Sequence, residues 1–131
     1  MIERIQVRTA ARDDWIDLTR EVERVARASG LAEGVVTVFI PHTTAGVTIQ
    51  ENADPPLKKD ITRALESIFP WVGDWGHCED NAASHMKAAV VGSSVQAIFS
   101  GGKLLLGTWQ NIFLCEFDGP RTRDVILKVS P

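Results

Sequence analysis

Apolar positions along the chain repeat with two different periods, and the changes of period divide it into elements. Residues 2–9, IERIQVRT, and the segment on to Ile16 read as extended. Leu18, Val22, Val25 and Ala26 then recur at helical spacing, with Asp17 as the cap and Gly30 as the left-handed stop. VVTVF (35–39) is a β-branched run that ends at Pro41, whose missing N–H cannot extend a ladder, and VTIQ (47–50) resumes strand character after Gly46. In DPPLKKDITRALESIF, from Asp54, two prolines sit in the first helical turn and Leu57, Ile61, Leu65 and Ile68 form an apolar stripe. PWVGDWGHCE (70–79) reads as a loop, after which Asp80 or Asn81 caps a third helix that runs to Gly92 with Met86 and Val90 as its core stripe.

The remainder is strand-like. SVQAIFSGGKLLLG predicts a hairpin turning at Gly101–Gly102, and TWQNIFLCEF and RDVILKV predict two more strands. IFLC is apolar on both faces, as a central strand covered on each side requires. These elements predict an α+β fold: one domain over residues 1–131, a largely antiparallel sheet or sandwich with about three helices packed on it.

Composition narrows what such a fold can do. With 131 residues, 44% hydrophobic and 24% charged, the chain can bury one core but not two. Its net charge of -3 argues against affinity gained by neutralising many phosphates, so a nucleic-acid partner is not expected. The start, MIERIQVRTAARDDW, has no signal-peptide pattern, and no stretch reaches the roughly 20 apolar residues of a bilayer span, so a cytoplasmic protein without a membrane partner is expected. Cys78 and Cys115 lie far apart without a CxxC, which implies reduced thiols.

The candidate chemistry lies in the three histidines. His42 stands in IPHTTAGVTIQEN, on the bend between two strands. His77, Asn81 and His85 step by four and share one face if the third helix reaches back far enough. Glu51 follows Val47 and Ile49 at period two, which turns its carboxylate to the apolar side of the strand, where it needs a partner. A divalent metal, zinc or magnesium, held by His42, His77 and His85 would satisfy these groups, with Glu51 or Asp80 as base or orienting acid and one position open for water or substrate.

Plainer roles compete with each of these. Three histidines without HExxH or HxH spacing are a weak metal signature, and Asp80 and Asn81 are what a helix start asks for in any case. Thr43 and Thr44 can simply bond the backbone of their own turn. GTWQN (107–111) suits a flat ring, yet a strand tryptophan more often fills a core. Cys78 beside His77 is either a soft ligand or an inert small hydrophobe. In CEFDGPRTRD the arginines can clamp a phosphate or stand as a solvated pair.

Three segments, PHTTAGVTIQENADP, HCEDNAASHMKA and above all GGKLLLGTWQNIFLCEFDGPR, resemble the YjbQ family of small bacterial and archaeal proteins, described as secondary thiamine-phosphate synthases. The likeness runs from about residue 12 to residue 129. It implies a compact α+β homotrimer that weakly joins a pyrimidine diphosphate to a thiazole phosphate, so the implied partner is a small phosphorylated heterocyclic metabolite. It carries the family's motif histidines onto His42, His77 and His85, its acid onto Glu51, and its tryptophan–glutamine pair onto Trp109 and Gln110. The chain departs at Asp80, where a glycine is expected before the asparagine, and in the tryptophans of PWVGDWGHC.

For that chemistry, Glu51, His85 and Asp80 are the catalytic candidates. Arg121, with a cation, would neutralise the leaving oxygens; Trp109 would stack a ring; and Thr43, Thr44, Asn81 and Gln110 would supply a hydrogen-bonding edge. A non-catalytic binder of a phosphorylated metabolite and a metal-dependent hydrolase are the alternatives.

Overall fold

The structure, a computed structural model, describes residues 1–77 and 79–131. Two antiparallel sheets share one core. The larger runs β1 (Ile2–Arg8), β8 (Thr122–Ser130), β3 (Glu33–Phe39), β5 (Ser94–Ser100) and β6 (Lys103–Leu104) in spatial order, and the smaller runs β2 (Asp14–Asp17), β7 (Gln110–Glu116) and β4 (Ala45–Glu51). Period-two alternation decides what each strand buries. Val36 and Val38 of β3, Ala97 and Phe99 of β5, and Val125, Leu127 and Val129 of β8 point inward, where they meet Val47 of β4 and Ile112 and Leu114 of β7. The helix α1 (Thr19–Ala28) adds Val22, Val25 and Ala26 to the same core, with Leu18 just ahead of it.

The opposite face of the small sheet carries a second apolar cluster, where Ala88 of the helix α3 (Ala82–Val91) meets Cys115 and Phe117. Leu65 of the helix α2 (Pro55–Ile68) packs against it. β7 is therefore covered on both sides, as its unbroken apolar run implied, and burial in that slot pushes the Cys115 thiol up to about 12. Gly101 and Gly102 have φ of 57° and 75°, the left-handed pair that a two-residue hairpin between β5 and β6 demands.

The elements depart from the sequence reading at three points. Leu18 occupies the N-cap position of α1, while the Asp17 carboxylate accepts the Thr19 N–H at 2.9 Å, so the acid caps from one residue earlier than expected. β4 is longer than VTIQ, because Ala45 and Gly46 already pair with Glu116 and Cys115. The expected core stripe of α3 is wrong: Val90 is 63% exposed, and the helix buries Ala83, Ser84, Lys87 and Ala88 instead. Close approach explains this face. A Cβ on Gly46 would come within 2.7 Å of the Gly92 carbonyl oxygen, so only small residues let α3 sit this near β4.

Candidate functional site

The bend at residues 40–44 carries His42, Thr43 and Thr44 between β3 and β4, anchored by the Ile40 N–H on the Ser93 carbonyl at 2.8 Å. Opposite it lie the start of α3, with Asn81 and His85, and the turn from β7 to β8, with Asp118 and Arg121. Together they enclose a cleft of about 660 Å³.

Its floor is a buried polar network. The Arg123 guanidinium, 4% exposed, donates from Nε to Glu116 Oε1 at 2.8 Å, from Nη2 to Glu116 Oε2, and from Nη2 to the Thr44 hydroxyl at 2.8 Å. Glu116 also accepts the Thr9 hydroxyl at 2.8 Å and the backbone N–H groups of Phe117 and Asp118, each at 3.1 Å. Both oxygens of this buried carboxylate therefore have donors, as burial of such a group requires.

Above the floor, Arg121 donates Nε to the Asp118 carbonyl at 2.7 Å and Nη2 to the Asp118 carboxylate at 3.1 Å, and its side chain is 52% exposed at the cleft mouth. Asn81 donates Nδ2 to the same carboxylate at 2.8 Å, while its Oδ1 is buried without a hydrogen-bond partner. His85 Nε2 is likewise buried and unpaired. Ser84 fixes this end of α3 by donating to the Phe117 carbonyl at 2.6 Å.

His42 Nε2 accepts the Asp124 N–H at 2.9 Å, so the neutral ring carries its proton on Nδ1. Partial burial, followed by the nearby Arg123 charge, lowers its pKa below the usual 6.5. The fold thus favours the neutral ring. The stability this contributes is complete above pH 6.5 and is lost as pH falls through the lower folded-state value. Urea titrations at several pH values are expected to show stability declining below about 6.5 in the wild type, and His42→Gln is expected to remove that part of the slope.

Of the residues singled out in the sequence, His42, Thr43, Thr44, Asn81, His85 and Arg121 meet at the cleft. His77 lies beside it, its ring 4.7 Å from that of His85 and edge-on, although α3 begins at Ala82 and does not reach back as expected; a loop brings the two imidazoles together. His77 Nε2 stands 3.7 Å from the Glu79 carboxylate. Asp80 is not in the cleft but lines a neighbouring hollow with Trp71, Trp75 and His77. Its φ of 59° is the left-handed conformation that glycine adopts without cost, which gives a backbone reason for the glycine expected there. Asp80→Gly is expected to raise stability by up to about 1 kcal/mol, read as a higher Tm with an unchanged fold.

Three candidates fall elsewhere. Ala45 and Glu116 pair at the cleft end of the β4–β7 ladder and Glu51 and Gln110 at the other, about 20 Å along the strands. Glu51 is therefore half-buried far from the histidines. Trp109 is 62% exposed, and Gln110 Oε1 accepts the Gly107 N–H at 2.9 Å, which folds its amide back on its own turn. Cys78 lies outside the described residues.

As placed, the three imidazoles do not form the expected ligand set, because the His42 Nε2 lone pair is committed to a backbone amide. Among the described residues no group of three or more His, Cys, Asp or Glu side chains is arranged to hold a metal ion. Glu116 and Asp118 were missed, and Arg123, expected with Arg121 as a phosphate clamp or a solvated pair, is neither: it is buried against Glu116. Period two along RDVILKV puts Arg123 in line with Val125, Leu127 and Val129, and a charge at an inward position is the signal that could have found it.

A sandwich of antiparallel sheets with a His–Asn–Arg cleft where α3 meets the β3–β4 bend defines the class. Residues 3–131 match the model of the family described as UPF0047 protein YjbQ-like, and the chain belongs to that family. It is 48% identical over 130 residues to UPF0047 protein YugU of Bacillus subtilis, covering 98% of each chain. It is 41% identical to a UPF0047 protein of Methanocaldococcus jannaschii, covering 98% of this chain and 94% of the relative. Among solved structures, a yjbq/upf0047 family protein of Clostridium acetobutylicum superposes with a TM-score of 0.95 at 48% identity, covering 98% of this chain and 99% of that one. A YbjQ-like protein of Sulfolobus solfataricus gives 0.93 at 33% identity, covering 98% and 95%. No helix among the described residues is long and apolar enough to cross a membrane.

Proposed function

We propose that the cleft binds the phosphate end of a small metabolite, a phosphorylated heterocycle in the reading the family resemblance implies. One observation carries this: at the mouth Arg121 presents a half-exposed guanidinium, and beside it His85 Nε2 and Asn81 Oδ1 are buried without partners. Unpaired buried polar atoms cost about 1–3 kcal/mol each; a phosphate oxygen can partner His85 Nε2, whereas Asn81 Oδ1, an acceptor, takes a hydroxyl or ring N–H from the rest of the ligand. Arg121 is the charge-assisted donor for a phosphate oxygen, and His85 can donate from Nε2 to a second.

The transfer implied by the resemblance forms a C–N bond from the thiazole nitrogen to the pyrimidine methylene carbon while the C–O bond to diphosphate breaks, the leaving group taking the electron pair. This chain contributes Arg121 beside the leaving oxygens. Trp109 and Gln110, the candidates for holding a second ring, lie at the far end of β7, so within one chain the cleft holds a single substrate and turnover is expected to be slow.

Calorimetric titration with inorganic phosphate and with a thiazole phosphate tests the binding. Arg121→Ala is expected to weaken both about tenfold or more, at unchanged fold. Binding unaffected by Arg121→Ala overturns the reading, and chromatographic product analysis with both substrates decides between a transferase and a binder. The homotrimer that the resemblance implies is tested by sedimentation velocity on the 14.4 kDa chain.

A second reading, a divalent cation at His77 and His85, draws on the adjacent rings and the unpaired His85 Nε2. It predicts about one zinc or magnesium ion per chain by elemental analysis, lost in His85→Ala.

A further inference from the structure

A second hollow, of about 630 Å³, opens between α2 and the segment that links β1 to β2. It shares no residue with the histidine cleft. Its apolar wall is the Trp15 indole and Pro55, with the indole N–H fixed on the Thr62 hydroxyl at 3.0 Å.

The charges around it are unbalanced. The carboxylates on its wall are largely engaged: Asp13 through Oδ2 with Arg12 at 3.0 Å, its buried Oδ1 having only the Lys87 ammonium at 3.8 Å, Asp14 with the backbone N–H groups of Ala10 and Trp15 at 2.8 and 2.9 Å, and Glu66 with the buried ammonium of Lys87. Lys58 is engaged too, through Asn52 at 3.2 Å and the face of Phe113 at 4.5 Å. Lys59 and Arg63, one turn apart on α2, also line the hollow, and among the described residues neither has a carboxylate within 4 Å. In a chain of net charge -3, two uncommitted cations at the mouth of an indole-walled hollow form a local positive site.

We infer that this hollow is a second ligand site, independent of the histidine cleft, and that it takes a small aromatic carboxylate. The planar carboxylate matches the fork of Arg63 with Lys59 as a supporting charge, and the ring lies against Trp15 and Pro55. A bare inorganic anion gains only the charge contacts and a neutral ring only the apolar wall, so the ligand carries both.

The test is NMR titration of the ¹⁵N-labelled protein with 2-naphthoate, following the Trp15 indole N–H (assigned through Trp15→Phe) and the Thr62 amide. Both resonances are expected to shift saturably. The neutral analogue 2-naphthalenemethanol and the Lys59→Glu/Arg63→Glu double variant are each expected to weaken binding on the order of tenfold or more. The variant sites lie on the exposed side of α2, and Lys59→Gln/Arg63→Gln provides the same comparison without charge reversal. The inference is overturned by the absence of a Trp15 shift at millimolar probe, by equal affinity in the variants, or by shifts confined to Asn81 and His85.

Discussion

Arg123→Ala is expected to lower the free energy of unfolding by about 3–5 kcal/mol. The size follows from what remains. Without the guanidinium, Glu116 is an anion 1% exposed, still bonded to the Thr9 hydroxyl and two backbone N–H groups but lacking its counter-charge. Thr44 loses the donor that holds its hydroxyl, which loosens the bend carrying His42. Glu116→Gln, which removes the charge and keeps the shape, is expected to cost as much, because it leaves the guanidinium buried instead. Urea unfolding measures both. A loss below about 1 kcal/mol for either variant would show that the network contributes little beyond its packing.

The second large effect is asymmetric. Lys87 is buried on α3 and its ammonium bonds Glu66 on α2, with Asp13 at 3.8 Å. Glu66→Leu leaves a buried cation facing a distant carboxylate and is expected to cost about 3 kcal/mol. Lys87→Met removes the buried charge and fills the same volume. Glu66, 35% exposed and 3.7 Å from Arg12, is then solvated in place, so the expected cost is under about 1 kcal/mol. Equal losses in the two variants would refute this account. The pH dependence has a matching sign. The Glu66 pKa is lowered from 4.5 because the bonds from Lys87 and the Trp71 N–H outweigh the desolvation that opposes them. Its contribution is complete above 4.5 and is lost as pH falls through the lower folded-state value.

Where one residue's neighbours along the chain decide its environment, the sequence was readable. The strand character of RDVILKV, the two prolines opening α2 and the Gly101–Gly102 turn each express a backbone preference that the fold keeps. The family motifs led to His42 and His85, and the chemistry of the residues to Asn81 and Arg121, and these four meet at the cleft. Glu51 and Trp109 show the limit. They stand in the same motifs, yet a strand rises about 3.3 Å per residue, so six positions along β4 separate Glu51 from the bend by about 20 Å.

The sequence by itself determined the α+β class, the proline-led start of α2, the Gly101–Gly102 turn and the two-sided burial of β7, because these follow from side-chain period and local dihedral preference. Only the tertiary structure decided which polar groups share the cleft, that Arg123 and Glu116 form its floor, and that α3 turns Lys87 rather than Met86 and Val90 inward. Those outcomes depend on how closely α3 can approach β4 and on strand pairing between residues tens of positions apart, and neither distance leaves a periodic trace in the chain.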